Sequence, residues 1–216
     1  MANIYALLSL VIAQIEWGSI AQWVGALGSI AVLVWTVTLV CFGKPNLTIR
    51  PSPDLQRQDP PVTNPSSMWI RFRVTNSGIW RKTARNCRAF LTGLYKAQGA
   101  NTFAPMSPAE YNDILQLTWT HGPREPTGMD ILPGAQQRFD LLATAGPAEG
   151  GFLQLQTWPV LPAMTIVQPG SYLAIVQVSA EDTEAKTMPF LILWNGHWDQ
   201  VRAEAFTGRY ELVDRG

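Results

Sequence analysis

Near the start of the chain, 23 consecutive residues from Ile20 to Phe42 carry no charge. An α-helix of that length extends about 34 Å at about 1.5 Å per residue, which is enough to cross the hydrocarbon core of a bilayer. Ser19 is placed to cap such a helix, and Gly43 with Pro45 is placed to end it. The sequence therefore predicts a transmembrane helix over residues 19–43. The alternative, a buried core helix, rarely runs so far without a charge.

The segment before this helix, residues 1–18, is also apolar. Its uncharged part over residues 2–15 is too short to span a membrane. We expect a short helix there, lying at the membrane surface or packed against a partner. No Lys or Arg precedes residue 44, so the basic start of a secretory signal peptide is missing.

Basic and acidic residues are equal in number, 16 each, but they are separated along the chain. Residues 44–96 hold ten basic and two acidic residues, a net charge of +8, whereas residues 97–216 hold six basic and thirteen acidic, a net charge of −7. Lys and Arg are preferentially retained on the cytoplasmic side of a membrane anchor. We therefore predict that the N-terminus lies outside the membrane and that residues 44–216 lie in the cytoplasm.

After the helix, the hydrophobic pattern changes to a period of two. A Pro-rich connection over residues 44–67 includes a first strand at 46–50, and the main domain is predicted over residues 68–216. In residues 68–75, apolar Met, Ile, Phe and Val alternate with Trp, Arg and Thr, the pattern of a strand with one buried face. Further strands are predicted over 85–95, 114–120, 136–143, 152–158, 171–179, 189–195 and 209–213, and short helical turns over 107–112 and 200–206. This spacing predicts a mainly β protein, with an antiparallel immunoglobulin-like β-sandwich of about 7–9 strands behind the transmembrane helix.

Residues able to carry chemistry are few. The chain has two histidines and two cysteines, and neither His121 nor His197 has another His or a Cys within four positions. His197 lies in a segment, residues 194–198, that is typical of a hairpin turn. No nucleophile elbow, phosphate-binding loop, dinucleotide fingerprint or nucleic-acid motif is present. We therefore predict no enzyme activity, catalytic residue, metal site or cofactor, and no nucleic-acid partner.

One face of the predicted helix carries small residues. Ala21, Gly25 and Ser29 follow one another at a spacing of four, and Gly28 lies alongside. Small side chains let a second helix approach closely, which is how helices associate in lipid. These four residues are therefore a candidate helix-packing interface, although glycine is also common in membrane helices generally.

Two further groups are candidates for contact with a partner. The first is a basic patch made of Arg71, Arg73, Arg81, Lys82, Arg85 and Arg88. It fits anionic lipid head groups or an acidic neighbouring subunit, with a solvated sheet face as the alternative. The second is a set of interface aromatics, Trp17, Trp23, Trp69 and Trp80. Exposed tryptophans beside arginines are typical of interface hot spots, and packing on a neighbouring loop is the alternative.

Four stretches together resemble a loose group of bacterial single-pass membrane proteins. These stretches are Glu16–Ala31 (EWGSIAQWVGALGSIA), Lys44–Leu47 (KPNL), Val74–Gly78 (VTNSG) and Ala84–Arg88 (ARNCR). The resemblance covers the anchor and about the first third of the domain. It implies a soluble part similar to an immunoglobulin-like sandwich, and it implies no catalytic residue.

These patterns favour a non-catalytic accessory subunit of a large bacterial membrane complex. Its helix would pack against other membrane-protein subunits while its sandwich bridges neighbours. Photosynthetic reaction-centre or antenna assemblies and respiratory assemblies are the classes to test first. The alternative is a membrane-tethered module that binds a small ligand or an envelope polymer, with the domain exported.

Overall fold

A computed structural model of the chain describes residues 17–42, 44–52, 56–58, 67–77, 82–106, 114–120, 127–144, 151–158 and 165–213. The chain divides into two compact units, residues 1–43 and 44–216. The short helix predicted over 2–15, the helical turn predicted over 107–112, and the residues Trp80, Arg81 and His121 lie outside the described residues.

The first unit contains one α-helix, α1, from Trp17 to Phe42. It begins two residues before the predicted cap at Ser19. Every side chain from Ile20 to Val37 is exposed, and the segment Ser19–Thr38 is long and apolar enough to be a membrane span or a signal sequence. The prediction of an apolar helix near the N-terminus, followed by a mainly β domain, is therefore confirmed for the part of the chain that is described.

Fifteen strands form in the described part of the second unit, and strands make up 60% of the structure. They are β1 Leu47–Pro51, β2 Gln56–Gln58, β3 Ser67–Asn76, β4 Ala84–Gly99, β5 Thr102–Pro105, β6 Leu115–Trp119, β7 Met129–Ile131, β8 Gln136–Thr144, β9 Leu153–Leu155, β10 Thr157–Trp158, β11 Thr165–Ile166, β12 Gly170–Ala180, β13 Thr183–Trp194, β14 Val201–Ala205 and β15 Glu211–Leu212. An immunoglobulin-like sandwich of 7–9 strands is not confirmed. The helical turn predicted over 200–206 is wrong, because these residues contain β14.

The main strands follow one another in the order β1-β3-β8-β6-β4-β12-β13-β14, and all neighbours in this path are antiparallel. Strand β6 joins two halves of the sheet, since it pairs with β4 at Leu115 and Gln116 and with β8 at Thr118 and Trp119. The sheet thus curves into a nearly closed barrel. Its two free ends, β1 and β14, are the edges of what we call the seam.

The alternation along β3 produces the centre of the core. Ile70, Phe72 and Val74 are fully buried, as the period-two pattern predicts. The Phe72 ring centroid lies 3.9 Å from that of Phe190 on β13 and 5.6 Å from that of Phe139 on β8. These ring contacts therefore join β3 to its neighbour β8 and to β13, two strands that are far from it in sequence.

A tight turn connects β7 to β8, and a long ladder joins β4 to β12. Between β7 and β8, the Ala135 amide donates to the Leu132 carbonyl at 2.9 Å, and Gly134 has φ +73°, which together make a type II turn with Pro133 at its second position. The long strand β4 pairs with β12 from Lys96↔Tyr172 to Arg88↔Ser179. That ladder joins residues that lie 76 (172 − 96) to 91 (179 − 88) positions apart in the chain.

Candidate functional site

The small residues of α1 form an open face. Ala21, Gly25, Gly28 and Ser29 are all exposed, and a Cβ added at Gly25 or Gly28 would meet no atom within 4 Å. The Ser29 hydroxyl donates to the Gly25 carbonyl at 2.9 Å, so the polar group is satisfied within the helix. The face therefore has room for the backbone of another helix to approach.

The structure does not bring the residues of the basic patch onto one exposed surface. Of the five that are described, Lys82 and Arg85 are exposed. Arg73 is half-buried, and its Nη1 donates to Gln136 Oε1 at 2.8 Å. Arg88 is also half-buried, and its Nε donates to Asn86 Oδ1 at 3.3 Å.

Arg71 lies in a buried ion pair instead of on an exposed patch. Its Nε donates to Asp140 Oδ1 at 2.6 Å, with the two side chains only 6% and 10% exposed. Thr120 Oγ1 donates to the same carboxylate oxygen at 2.8 Å, and Arg71 Cζ lies 5.5 Å from the centroid of the Trp69 ring. A buried pair of this kind neutralises Arg71 and fixes β3 against β8.

Of the predicted interface aromatics, the structure describes the side chains of Trp23 in the first unit and Trp69 in the second. Trp23 is exposed on α1, whereas Trp69 is half-buried beside the Arg71 guanidinium. The side chain of Trp17 and all of Trp80 lie outside the described residues. Trp23 is therefore the aromatic side chain of this set that the structure shows uncovered.

A cavity of about 740 Å³ lies at the seam and has the character of a binding site, with a lining from β1, β3, β13 and β14. Ligand-binding cavities in proteins commonly have volumes of about 300–1,000 Å³. The apolar residues that line it are Ile49, Pro51, Ile70, Met188, Ala203 and Ala205. Arg50, Arg202 and Glu204 add charges, and Ser52 adds a hydroxyl. We call this the seam cavity.

The strand pairing explains why the seam cavity is apolar inside and charged at its edges. Directly paired residues lie on the same face of a sheet. Ile49 pairs with the buried Val74, and Ala203 pairs with the buried Ile192, so both belong to the inner face. Their neighbours Arg50 and Arg202 fall on the outer face of the two edge strands and are exposed. Charged residues on an edge strand also discourage pairing with another chain.

Three polar groups at the seam cavity lack partners in the described part of the chain. The side chains of Arg50 and Arg202 form no ion pair there, since the Arg71–Asp140 pair is the salt bridge found among those residues. Ser52 continues the β1 ladder through its amide, which donates to the Arg71 carbonyl at 2.9 Å. Its side-chain Oγ is buried and has no hydrogen-bond partner. A buried hydroxyl without a partner costs about 1–3 kcal/mol, so it is a site where a ligand can gain a hydrogen bond.

A second cavity, of about 570 Å³, lies beside the turn between β13 and β14. It is lined by Met68, Ser171, Trp194, Asn195, Asp199 and Gln200 among others, and it shares Arg202 with the seam cavity. Trp194 Nε1 donates to the His197 carbonyl at 3.1 Å, and the His197 amide donates to Asn195 Oδ1 at 3.0 Å. These bonds order a turn, with Gly196 at φ +96° and His197 exposed.

The groups that could act as metal ligands or nucleophiles are scattered. Within the described ranges, no group of three or more His, Cys, Asp or Glu residues is close enough to hold a metal ion. Cys87 is fully buried, and its thiol lies 3.4 Å from the Ala84 carbonyl. Burial, and then the charge of Asp130, raise the pKa of this thiol to about 11, opposed by a backbone hydrogen bond from Ile131. Cys87 is therefore protonated at neutral pH and a poor nucleophile.

No protein-family model and no curated protein sequence matches this chain. The resemblance to bacterial single-pass membrane proteins therefore stays a prediction. The exposed apolar helix and the seam cavity are the two features of the structure that bear on function.

Proposed function

We propose that this protein is a non-catalytic accessory subunit, anchored by α1 in a bacterial inner membrane with the β domain in the cytoplasm. One observation carries the proposal: no side chain between Ile20 and Val37 is buried in the described structure. Ten of these side chains are large and apolar. Removing each from water gains about 1.5–3 kcal/mol, so transfer of α1 into lipid is favoured by more than ~10 kcal/mol.

The open face of α1 supports contact with other membrane-protein subunits. Gly25 and Gly28 leave space at the helix surface, and the Ser29 hydroxyl needs no external partner. Close helix approach at small residues is the usual source of specificity between membrane helices. We propose that a partner helix packs here, and photosynthetic reaction-centre or antenna complexes and respiratory complexes are the first candidates. The exposed Lys82 and Arg85 suit anionic lipid head groups.

Purification of the full chain from gently solubilised membranes tests the partner interface. Gly25→Leu and Ser29→Leu place bulk on the open face, and we expect each to reduce co-purification of partner subunits at least about fivefold. Val34→Leu is the matched control, because nine residues at about 100° each place it on the opposite side of α1. Equal co-purification of Gly25→Leu and Val34→Leu would contradict a partner at this face.

Sidedness is tested separately. With an affinity tag after Gly216, protease added to intact spheroplasts should leave the tag and β domain whole, and digestion should require membrane lysis. Cleavage from the outside would reverse the proposed orientation and support the second candidate function.

That second candidate is a membrane-tethered binding module for a small ligand or an envelope polymer. The seam cavity favours it, because an apolar cavity of about 740 Å³ with unpaired arginines at its edge is suited to binding a ligand. A module of this kind differs from the accessory subunit in what it contacts and in having its domain exported.

A further inference from the structure

We propose that the seam cavity binds a single-chain amphiphile with an anionic oxygen head group, of the fatty-acid or monoalkyl-phosphate class. This inference goes beyond the proposed subunit role and depends on neither α1 nor any partner subunit. It rests on the volume of the cavity, on its inner surface and on the groups at its edge.

The inner surface suits an alkyl chain. Ile49 and Ile70 supply branched side chains from one side of the seam, and Met188 comes from β13 on the other side. Ala203 and Ala205 on β14 are small, so they leave volume that larger residues would occupy. Apolar surface of this kind gains about 0.8 kcal/mol for each methylene that a ligand buries. Methionine also adapts its shape to a flexible chain.

The edge of the cavity suits an anion. Arg50 on β1 and Arg202 on β14 have no carboxylate partner in the described part of the chain. Glu204 is the acidic residue among those that line the cavity, and the charge of Arg71 is already balanced by Asp140. The lining thus has a net charge of +1 once that pair is set aside. Guanidinium groups bind carboxylate and phosphate oxygens through charge-assisted hydrogen bonds.

The buried hydroxyl of Ser52 also favours a ligand with an anionic oxygen. Its buried Oγ lacks a hydrogen-bond partner, and Ser52 lines the same cavity as Arg50. A carboxylate or phosphate oxygen accepts hydrogen bonds and donates none when ionised, so it would satisfy the hydroxyl. A neutral alcohol or a hydrocarbon would leave the arginine charges uncompensated.

An inserted peptide strand is a poorer occupant of the seam. The two edge strands, β1 and β14, are each five residues long. Arg50 lies on β1, and Arg202 and Glu204 lie on β14. Short and charged edges are those that resist pairing with an added strand.

The test uses the full chain in nanodiscs of phosphatidylcholine, with its methionines labelled as ¹³C-methyl groups, and NMR titration with decanoate. We expect a saturable shift of the Met188 methyl signal. The methyl signals of Met68, which lines the neighbouring cavity, and of Met129, which lies on β7, should not shift. Monodecyl phosphate is the second probe and 1-decanol the uncharged one. Binding of either anion supports the proposal and identifies which oxyanion head group is preferred.

Variants locate the head group. Arg50→Gln, at an exposed position that does not threaten folding, should weaken decanoate binding about fivefold, the size expected for one partly exposed charge-assisted contact. Ser52→Ala should weaken it by a similar factor, and Ala203→Leu should abolish it by filling the cavity. Arg209→Gln, another exposed arginine outside the cavity, is the control and should bind like the unchanged protein.

Several results would overturn the proposal. These are an unchanged Met188 signal, a response at Met68 in place of Met188, equal binding of 1-decanol, or equal loss in Arg50→Gln and Arg209→Gln. None of these results tests whether α1 anchors the chain. Incorporation of the chain into the nanodiscs tests anchoring separately.

Discussion

Large apolar side chains are exposed in the first unit of this chain and buried in the second. On α1, Leu27 and Leu33 are each 63% exposed, whereas on β8 Leu141 and Leu142 are fully buried. The β domain contains its own apolar core, so its stability comes from contacts within the chain. The helix has exposed apolar side chains, which insertion into lipid or contact with another protein would cover. Changes in one unit should therefore affect a different measurement from changes in the other.

The largest effect is expected in the β core. Phe72→Ala removes a buried ring in contact with Phe190 and Phe139, and should lower the free energy of unfolding by about 3–5 kcal/mol. Urea unfolding of the solubilised chain, followed by tryptophan fluorescence, measures this. The control is Leu132→Ala at an exposed turn, expected to change stability by less than about 0.5 kcal/mol. Neither variant should change how much of the protein is extracted from the membrane. Release of Phe72→Ala from the membrane would contradict independent contributions of the two units.

The reciprocal change is Leu33→Asp in the middle of α1. A carboxylate at the centre of a membrane span opposes insertion by about 3 kcal/mol, so a larger share of the protein should be extracted by alkaline carbonate. The urea midpoint of the β domain should not move. Leu33→Phe serves as the control. Retention of Leu33→Asp equal to that of Leu33→Phe would argue that α1 does not span the membrane.

A smaller loss is expected from the buried ion pair. Asp140→Asn keeps the size of the side chain but leaves Arg71 without a balancing charge, and should cost about 2 kcal/mol of folding stability. The exposed Asp199, changed to Asn, is the matched control. If the two variants unfold at the same urea concentration, the pair contributes nothing measurable.

The buried thiol predicts a dependence on alkaline pH. The pKa of Cys87 is raised from 9.0 to about 11, so above pH 9 the unfolded chain loses this proton while the folded chain keeps it. The unfolded state then binds fewer protons, and the free energy of unfolding falls with pH by up to about 1.4 kcal/mol per unit until the pH passes 11. Comparing the unchanged protein with Cys87→Ala isolates this contribution from other groups. Identical pH profiles would show that Cys87 does not titrate differently on folding.

The smallest effect concerns one turn. Gly134 has φ +73° with open space around its Cβ position, so Gly134→Ala adds backbone strain without a clash and should cost about 1 kcal/mol. Gly99→Ala also meets nothing within 4 Å but has no positive φ, and should be neutral or slightly stabilising. A shift of the urea midpoint in the same direction for both would indicate a cause other than backbone conformation.

Local patterns account for the parts of the fold that the sequence predicts. The period of two in β3 reports on residues that are close together in the chain, so the buried face of Ile70, Phe72 and Val74 is predicted correctly. The apolar composition of α1 is likewise a local property. By contrast, Arg202, Ala203 and Glu204 include good helix formers, and their pairing with β13 overrides that preference.

The site residues are harder to predict because they meet only in the folded chain. Arg71 occupies an outward position on β3 that suggests solvent exposure, but its partner Asp140 lies 69 residues away. The seam cavity likewise combines Ile49 from the first strand with Ala203 from the fourteenth. No local spacing signals either meeting. A buried arginine or a cavity at an open sheet edge depends on strand order, which alternation alone does not specify.

The long ladder between β4 and β12 has a consequence for how the protein is made. β4 is complete at Gly99, but the strand it needs on one side begins only at Gly170. At translation rates of about 5–20 residues per second, the growing polypeptide waits about 4–14 s on the ribosome with that strand edge unpaired. Pairings between such distant segments also form slowly. A cell that synthesises this protein therefore has to shield an incomplete sheet during biogenesis, and chaperone supply should limit its yield more than the finished fold does.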